Sequence, residues 1–111
     1  MHQHQYYVYL LTNQNKTVLY TGVTNNLQER ILQHYQNRQT NNSFSGKYAA
    51  YYLLFYEGHQ YINNAIAREK EVKGWTRQKK WNLINSFNPE AKFLNEELFG
   101  QWPPKETLQI N

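Results

Sequence analysis

Two short apolar segments joined by a polar turn constrain the fold of this chain more than any other feature. Residues 6–11 have the sequence YYVYLL and residues 18–23 have the sequence VLYTGV, and each has the length of a buried strand. Residues 12–16, TNQNK, have the chemistry of a turn, because Asn tolerates left-handed backbone conformations. The chain is therefore predicted to begin with a β-hairpin.

A helix is predicted directly after the hairpin. Asn25 or Asn26 can cap it, and Glu29 follows Asn26 by three residues, as in a capping box. Apolar residues at helical spacing indicate that the helix extends to about residue 37. Its apolar stripe consists of Leu27, Ile31 and Tyr35.

Beyond a polar loop at residues 37–45, the chain predicts one more strand and two more helices. Gly commonly ends a helix, Thr caps its N-terminus, and Pro cannot continue it. The predicted elements are a strand over residues 48–57, a helix from Asn63 or Asn64 to Gly74, and a helix from its cap Thr76 to Asn88-Pro89.

The resulting order ββαβαα predicts the α+β fold class. We expect a small three-stranded, mainly antiparallel sheet that starts with the hairpin and is flanked by helices. With 111 residues, the chain has the length of one domain. The domain is expected to occupy residues 1–90. Residues 91–111 are expected to form a C-terminal extension that is partly disordered and loose after Pro103-Pro104.

Composition excludes some classes of site and favours one class of partner. The chain has no cysteine, which excludes disulfides and thiolate metal sites and fits a reducing cytoplasm. No segment approaches the roughly 20 apolar residues of a membrane-spanning helix, and the N-terminus lacks a secretory pattern. A soluble cytoplasmic protein without a membrane partner is expected. The net charge of +4 and a pI of about 9.3 favour a polyanionic partner.

The positive charge is concentrated in one segment. A run of basic residues is most often a solvated helix face, and Glu69 and Glu71 interrupt this one. Half of the 12 basic residues nevertheless lie within thirteen positions, namely Arg68, Lys70, Lys73, Arg77, Lys79 and Lys80.

Three polar residues occupy positions where helical periodicity predicts apolar ones. Because successive helix residues are about 100° apart, His34 falls inside the apolar arc of the first helix and Arg30 lies at its edge. Glu69 lies on the apolar arc of the next helix, whereas Glu71 points away from it. A buried charge is costly unless it is paired or coordinated. Two explanations remain open: a structural Arg30–Glu69 salt bridge beside a hydrogen-bonded His34, or a functional site at the sheet edge where all three converge.

The hairpin tyrosines resemble those of the GIY-YIG nuclease family. Residues 7–9, YVY, stand in the position of the family's first triplet, and residues 20–22, YTG, in that of its second. Val8 and Thr21 replace the usual isoleucines, and Tyr7 replaces the first glycine. The resemblance covers about residues 6–90 and is closest to the small stand-alone bacterial members. It continues through Leu27-x-x-Arg30-x-x-x-His34 and Ala65-x-Ala67-x-Glu69-x-x-x-Lys73-x-Trp75 to Lys79-Lys80 and Asn88-Pro89.

The resemblance implies a metal-dependent endonuclease that hydrolyses phosphodiester bonds of nucleic acid, with DNA as the expected substrate. Glu69 resembles the family's metal-binding carboxylate, which would hold Mg²⁺ or Mn²⁺ together with waters and phosphate oxygens. Tyr9 resembles the general base, and Tyr20 shares its hydrogen-bond network. Arg30 would clamp the scissile phosphate, and His34 would orient the base or pass protons.

Four basic residues are expected to contact the nucleic-acid backbone, namely Lys47, Arg77, Lys79 and Lys80. A small module of this kind reads few bases, so a protein partner could supply specificity. Two other functions remain open: a non-catalytic nucleic-acid-binding module with a vestigial site, and a structural protein whose polar cluster is a buried network. The intact set of Tyr9, Tyr20, Arg30 and Glu69 favours the endonuclease.

Overall fold

A three-stranded antiparallel sheet forms the centre of the molecule. The structure, a computed structural model, describes residues 5–38, 40 and 43–104. The strands are β1 (Tyr6–Thr12), β2 (Leu19–Thr24) and β3 (Tyr52–His59), and their order in the sheet is β2-β1-β3. β1 and β2 form the predicted hairpin, so β2 is an edge strand beside the central β1. The predicted α+β fold class is confirmed.

Five helices flank the sheet in the described part of the chain. The side chain of Asn26 accepts a hydrogen bond from the backbone N–H of Glu29, and that of Thr76 accepts one from the N–H of Lys79. Both N-caps were predicted from the sequence, and both satisfy N–H groups that would otherwise lack a partner. The helices are α1 (Leu27–Gln36), α2 (Phe44–Lys47), α3 (Ile62–Lys73), α4 (Arg77–Phe87) and α5 (Asn95–Phe99).

The helices cover both faces of the sheet. Alternate residues of a strand point to opposite faces. Tyr9 and Leu11 belong to one buried cluster, which also contains Ile31 of α1. Leu10 belongs to a second buried cluster with Val72 of α3 and residues of α4. Helices α1 and α3 therefore lie on opposite faces.

The loop before β3 differs from the prediction. Its last part forms the short helix α2, because the Ser43 side chain accepts a hydrogen bond from the N–H of Gly46 at 3.2 Å. Ala49 then takes a positive φ of 54°, and β3 begins at Tyr52 rather than at residue 48. Helix α3 begins at Ile62, slightly before the predicted asparagines.

Part of the predicted C-terminal extension packs against the core. The buried side chain of Asn95 accepts a hydrogen bond from the N–H of Leu53 at 2.7 Å and donates one to the carbonyl of Tyr51 at 2.9 Å. Trp102 packs against the cluster that contains Tyr9. The boundary at residue 90 stays a prediction, and residues 105–111 of the predicted loose tail lie outside the described residues. No helix in the described part of the chain has the length and apolarity needed to cross a membrane.

Candidate active site

Gly22 allows the ring of Tyr9 to lie directly over the neighbouring strand. The two residues are partners in the β1–β2 ladder. A Cβ atom on Gly22 would lie 2.4 Å from both Cζ and Oη of Tyr9, which is closer than real Cβ contacts come. The third position of the second triplet is therefore restricted to glycine by the tyrosine of the first.

Tyr20 lies diagonally across the hairpin from Tyr9, because its own ladder partner is Leu11. The centroids of the two tyrosine rings are 6.2 Å apart. Tyr9 is fully buried, whereas Tyr20 is only half-buried. Of the two tyrosines, Tyr20 is therefore the one that a molecule arriving from solvent can reach.

Helix α1 brings two further predicted residues to the tyrosines. Arg30 and His34 are one helical turn apart and share a face. His34 Nε2 lies 3.0 Å from Tyr9 Oη, and its ring centroid is 5.1 Å from that of Tyr20. Arg30 is half-buried, donates a hydrogen bond to Gln33 Oε1 at 2.8 Å, and interacts electrostatically with both phenols. Four of the five residues predicted at the site thus form one cluster.

Ser45 belongs to this cluster although the sequence did not indicate it. Its Oγ lies 2.7 Å from His34 Nδ1, and both side chains are buried. The contact exists because α2 packs against α1. The available signal was a serine-rich stretch in a polar loop, which predicts a helix cap at most.

Burial keeps Tyr9 in its neutral form. It raises the pKa of Tyr9 well above the ordinary value for a phenol, Tyr20 raises that pKa further, and Arg30 opposes both effects. A buried hydroxyl that stays protonated can donate or accept hydrogen bonds, but it does not take a proton from water near neutral pH. Tyr9 is therefore a hydrogen-bonding member of the cluster.

His34 is also neutral near pH 7. Burial, together with the charge of the adjacent Arg30, lowers its pKa to about 4. A neutral imidazole has one donor and one acceptor nitrogen, and its neighbours Tyr9 and Ser45 each provide a hydroxyl for one of them. Burial acts to lower the pKa of Arg30, but the phenols of Tyr9 and Tyr20 outweigh it and raise that pKa, so Arg30 is the cation of the cluster.

Glu69 lies on α3, across the sheet from α1, although α3 also contacts the edge strand β2. Its side chain is 13% exposed and pairs with Lys73 at 3.5 Å. Within the described part of the chain it forms no hydrogen bond or ion pair with the tyrosines, Arg30 or His34. The Arg30–Glu69 salt bridge that the sequence left open is therefore not formed. Glu71, which is predicted to point away, is 56% exposed and forms an ion pair with Arg68 at 3.2 Å.

The four predicted basic residues lie in different surroundings. Arg77 and Lys80 line one cleft beside β2. The ammonium of Lys79 instead lies 4.4 Å from the centroid of a tryptophan ring. Lys47 is exposed at the end of α2.

The hairpin-first α+β sheet thus joins two tyrosines, an arginine and a histidine at one edge. The family model described as "GIY-YIG catalytic domain" matches residues 5–83, and the chain belongs to that family. The predicted family resemblance is confirmed.

One curated relative shows how much of the chain is shared. The chain is 37% identical over 96 residues to a UPF0213 protein of Clostridium perfringens (strain 13 / Type A), and the match covers 83% of this chain and 96% of the relative. No solved structure matches the chain significantly. The family supports an endonuclease-like function, and its nucleases generally use a metal.

Proposed function

We propose that this chain is a metal-dependent endonuclease that hydrolyses phosphodiester bonds, with DNA as its substrate. One observation carries the proposal: the partly exposed Tyr20 lies beside the cation Arg30, while the neutral pair Tyr9–His34 fills the space behind it. Hydrolysis needs a group that takes a proton from water and a cation that stabilises the phosphate charge. These side chains can provide both.

Tyr20 fits the role of general base better than Tyr9, to which the family resemblance gave that role. The hydroxyl of Tyr9 is buried and its pKa is raised, so it can neither contact the attacking water nor accept its proton near neutral pH. Tyr20 has part of its surface in solvent. Once the Tyr20 hydroxyl has released its proton to solvent, the charge of Arg30 and a hydrogen bond from Tyr9 would stabilise the phenolate oxygen, which would then accept the proton of the attacking water.

Arg30 would also bind a non-bridging oxygen of the scissile phosphate, because its guanidinium has five donors and Gln33 uses one of them. His34 and Ser45 would act indirectly. Their hydrogen bonds hold the hydroxyl of Tyr9 in place, and Tyr9 in turn borders Tyr20. This gives His34 a positioning role.

Glu69 is the residue that would hold a divalent cation, Mg²⁺ or Mn²⁺. The described residues contain no group of three carboxylate, imidazole or thiol side chains that could enclose a metal. One carboxylate is sufficient for Mg²⁺, which keeps several waters and shares phosphate oxygens. The present partner of Glu69 is a largely exposed lysine, which a cation can displace. When bound, such a cation neutralises charge on the phosphate and on the leaving oxygen.

The basic residues would bind the nucleic-acid backbone. We expect contacts from Arg77, Lys79 and Lys80, and from Lys47 at the end of α2. Binding of this kind releases counterions, so affinity should be weak and should fall as salt rises.

The neighbouring acids Glu69 and Glu71 provide a matched test. Glu69→Gln should reduce cleavage by at least about 100-fold while nucleic-acid binding stays the same or improves, because a carboxylate that repels phosphate is removed. Glu71→Gln should cleave like the wild type. The assay measures cleavage of single-stranded, duplex and branched DNA and RNA with Mg²⁺ or Mn²⁺. Equal activity of all three proteins would contradict the role of Glu69.

The same variants separate the enzyme from a non-catalytic binding module or a structural network. The ion pair of Glu69 has an exposed partner, so its loss should change the free energy of unfolding by less than about 1 kcal/mol. A loss of about 3–5 kcal/mol would instead indicate a buried structural pair. A wild-type protein that binds nucleic acid but cleaves none of the substrates would be the binding module.

A further inference from the structure

Two aromatic side chains lie on the surface beside the site cluster, which consists of Tyr9, Tyr20, Arg30 and His34. Phe44 is 45% exposed and Tyr48 is 41% exposed, and their ring centroids are 4.8 Å apart. Exposed large aromatics in contact with each other present apolar, aromatic area to a ligand. We call Phe44 and Tyr48 the aromatic platform.

The platform is continuous with the site cluster. The ring of Phe44 stacks on that of Tyr20, with centroids 6.2 Å apart and planes 26° apart. Tyr20 in turn contacts Tyr9 and His34. A group resting on Phe44 would therefore be adjacent to the proposed general base.

Positive charge surrounds the platform. Phe44 shares a cleft of about 230 Å³ with Arg77 and Lys80. The guanidinium of Arg77 donates a hydrogen bond to the carbonyl of Lys16 at 3.2 Å, which fixes it at the cleft wall. The ammonium of Lys47 lies 5.5 Å from the Tyr48 ring centroid. No carboxylate lines this cleft among the described residues.

These features match one ligand chemistry. The cleft is smaller than the roughly 300–1,000 Å³ typical of small-molecule sites. Aromatic faces interleaved with lysine and arginine are instead typical of proteins that bind unpaired nucleotides, because a base stacks on the ring while its phosphates contact the cations. In continuous duplex the base faces are covered by their neighbours, so duplex cannot use the rings in this way.

We propose that the aromatic platform stacks an unpaired nucleobase next to the scissile phosphate, while Arg77 and Lys80 bind the phosphates of the same strand. The substrate class is then nucleic acid with single-stranded or unpaired segments. The location next to a scissile phosphate rests on the proposed endonuclease function, but the stacking itself does not.

Binding without cleavage tests the stacking. Fluorescence anisotropy in EDTA measures the affinity for oligothymidylate, for oligouridylate and for a blunt DNA duplex of equal length. Phe44→Leu, which keeps an apolar side chain but removes the π face, should weaken binding to a single strand by about tenfold and change duplex binding little. Phe44→Trp should retain or increase single-strand affinity. The two single strands distinguish DNA from RNA as the preferred source of the base.

Phe87→Leu is the matched control, because Phe87 is 46% exposed and contacts Phe55 and Tyr56 rather than the cluster. The proposal is overturned if Phe44→Leu binds single strands like Phe87→Leu, or if it weakens duplex and single-strand binding equally. The first outcome would also be expected if the platform docks a protein. Failure of the proposed function gives a different result: a wild-type protein that cleaves nothing but still shows Phe44-dependent single-strand binding.

Discussion

Acid should destabilise this fold through His34. Burial and Arg30 lower the pKa of His34 to about 4 in the folded protein, whereas an unfolded histidine titrates near 6.5. The unfolded chain therefore binds a proton more readily than the folded one. The free energy of unfolding consequently falls as the pH drops below about 6.5, and this loss is complete once the pH is below about 4.

The size of the effect follows from the two pKa values. At about 1.36 kcal/mol per pKa unit, the whole loss amounts to about 3 kcal/mol, of which about 2 kcal/mol should be lost by about pH 5. Small domains have a total stability of about 5–15 kcal/mol, so one histidine accounts for a large fraction. The groups that face His34 are Tyr9, Tyr20, Arg30 and Ser45, and none of them is a carboxylate or a second histidine.

Urea unfolding of the wild type and of His34→Gln at several pH values between about 4 and 7 measures this linkage. His34→Gln loses hydrogen bonds and should be less stable near pH 7, but its stability should depend less on pH. The wild-type advantage should shrink by about 2 kcal/mol at about pH 5. Parallel pH profiles would refute the argument, because carboxylates common to both proteins would then account for the whole acid dependence.

Two further predictions concern the second triplet. Gly22→Ala should lower the free energy of unfolding by about 1–3 kcal/mol, because the new Cβ overlaps the buried ring of Tyr9. Chemical denaturation measures this loss, and unchanged stability would show that the Tyr9 ring can move aside. Thr21→Val should raise the free energy of unfolding by about 1 kcal/mol. The buried Oγ1 of Thr21 has no hydrogen-bond partner among the described residues, and a valine side chain has the same shape as threonine. A variant that melts at or below the wild-type temperature would indicate that the hydroxyl has a water partner.

Much of the fold was predictable because its signals are local. The hairpin depends on a turn between two apolar segments, and the caps at Asn26 and Thr76 depend on side chains that bond to N–H groups three residues later. The meeting of Tyr9 and Tyr20 also follows from short-range geometry, since a hairpin register fixes which residues lie diagonally opposite. One helical turn likewise brings Arg30 and His34 to one face.

The tertiary structure alone decided how the elements dock and what the docking does to each side chain. The packing of α2 against α1 places Ser45 on His34 and Phe44 on Tyr20, and no periodicity in the loop indicates either contact. Docking of α1 and α3 on opposite faces leaves Glu69 paired with a lysine rather than with Arg30. Periodicity reports which face of an element is apolar, because it depends on neighbours within one turn. It does not report the partner of that face, because contacts between elements distant in sequence depend on the whole packed core.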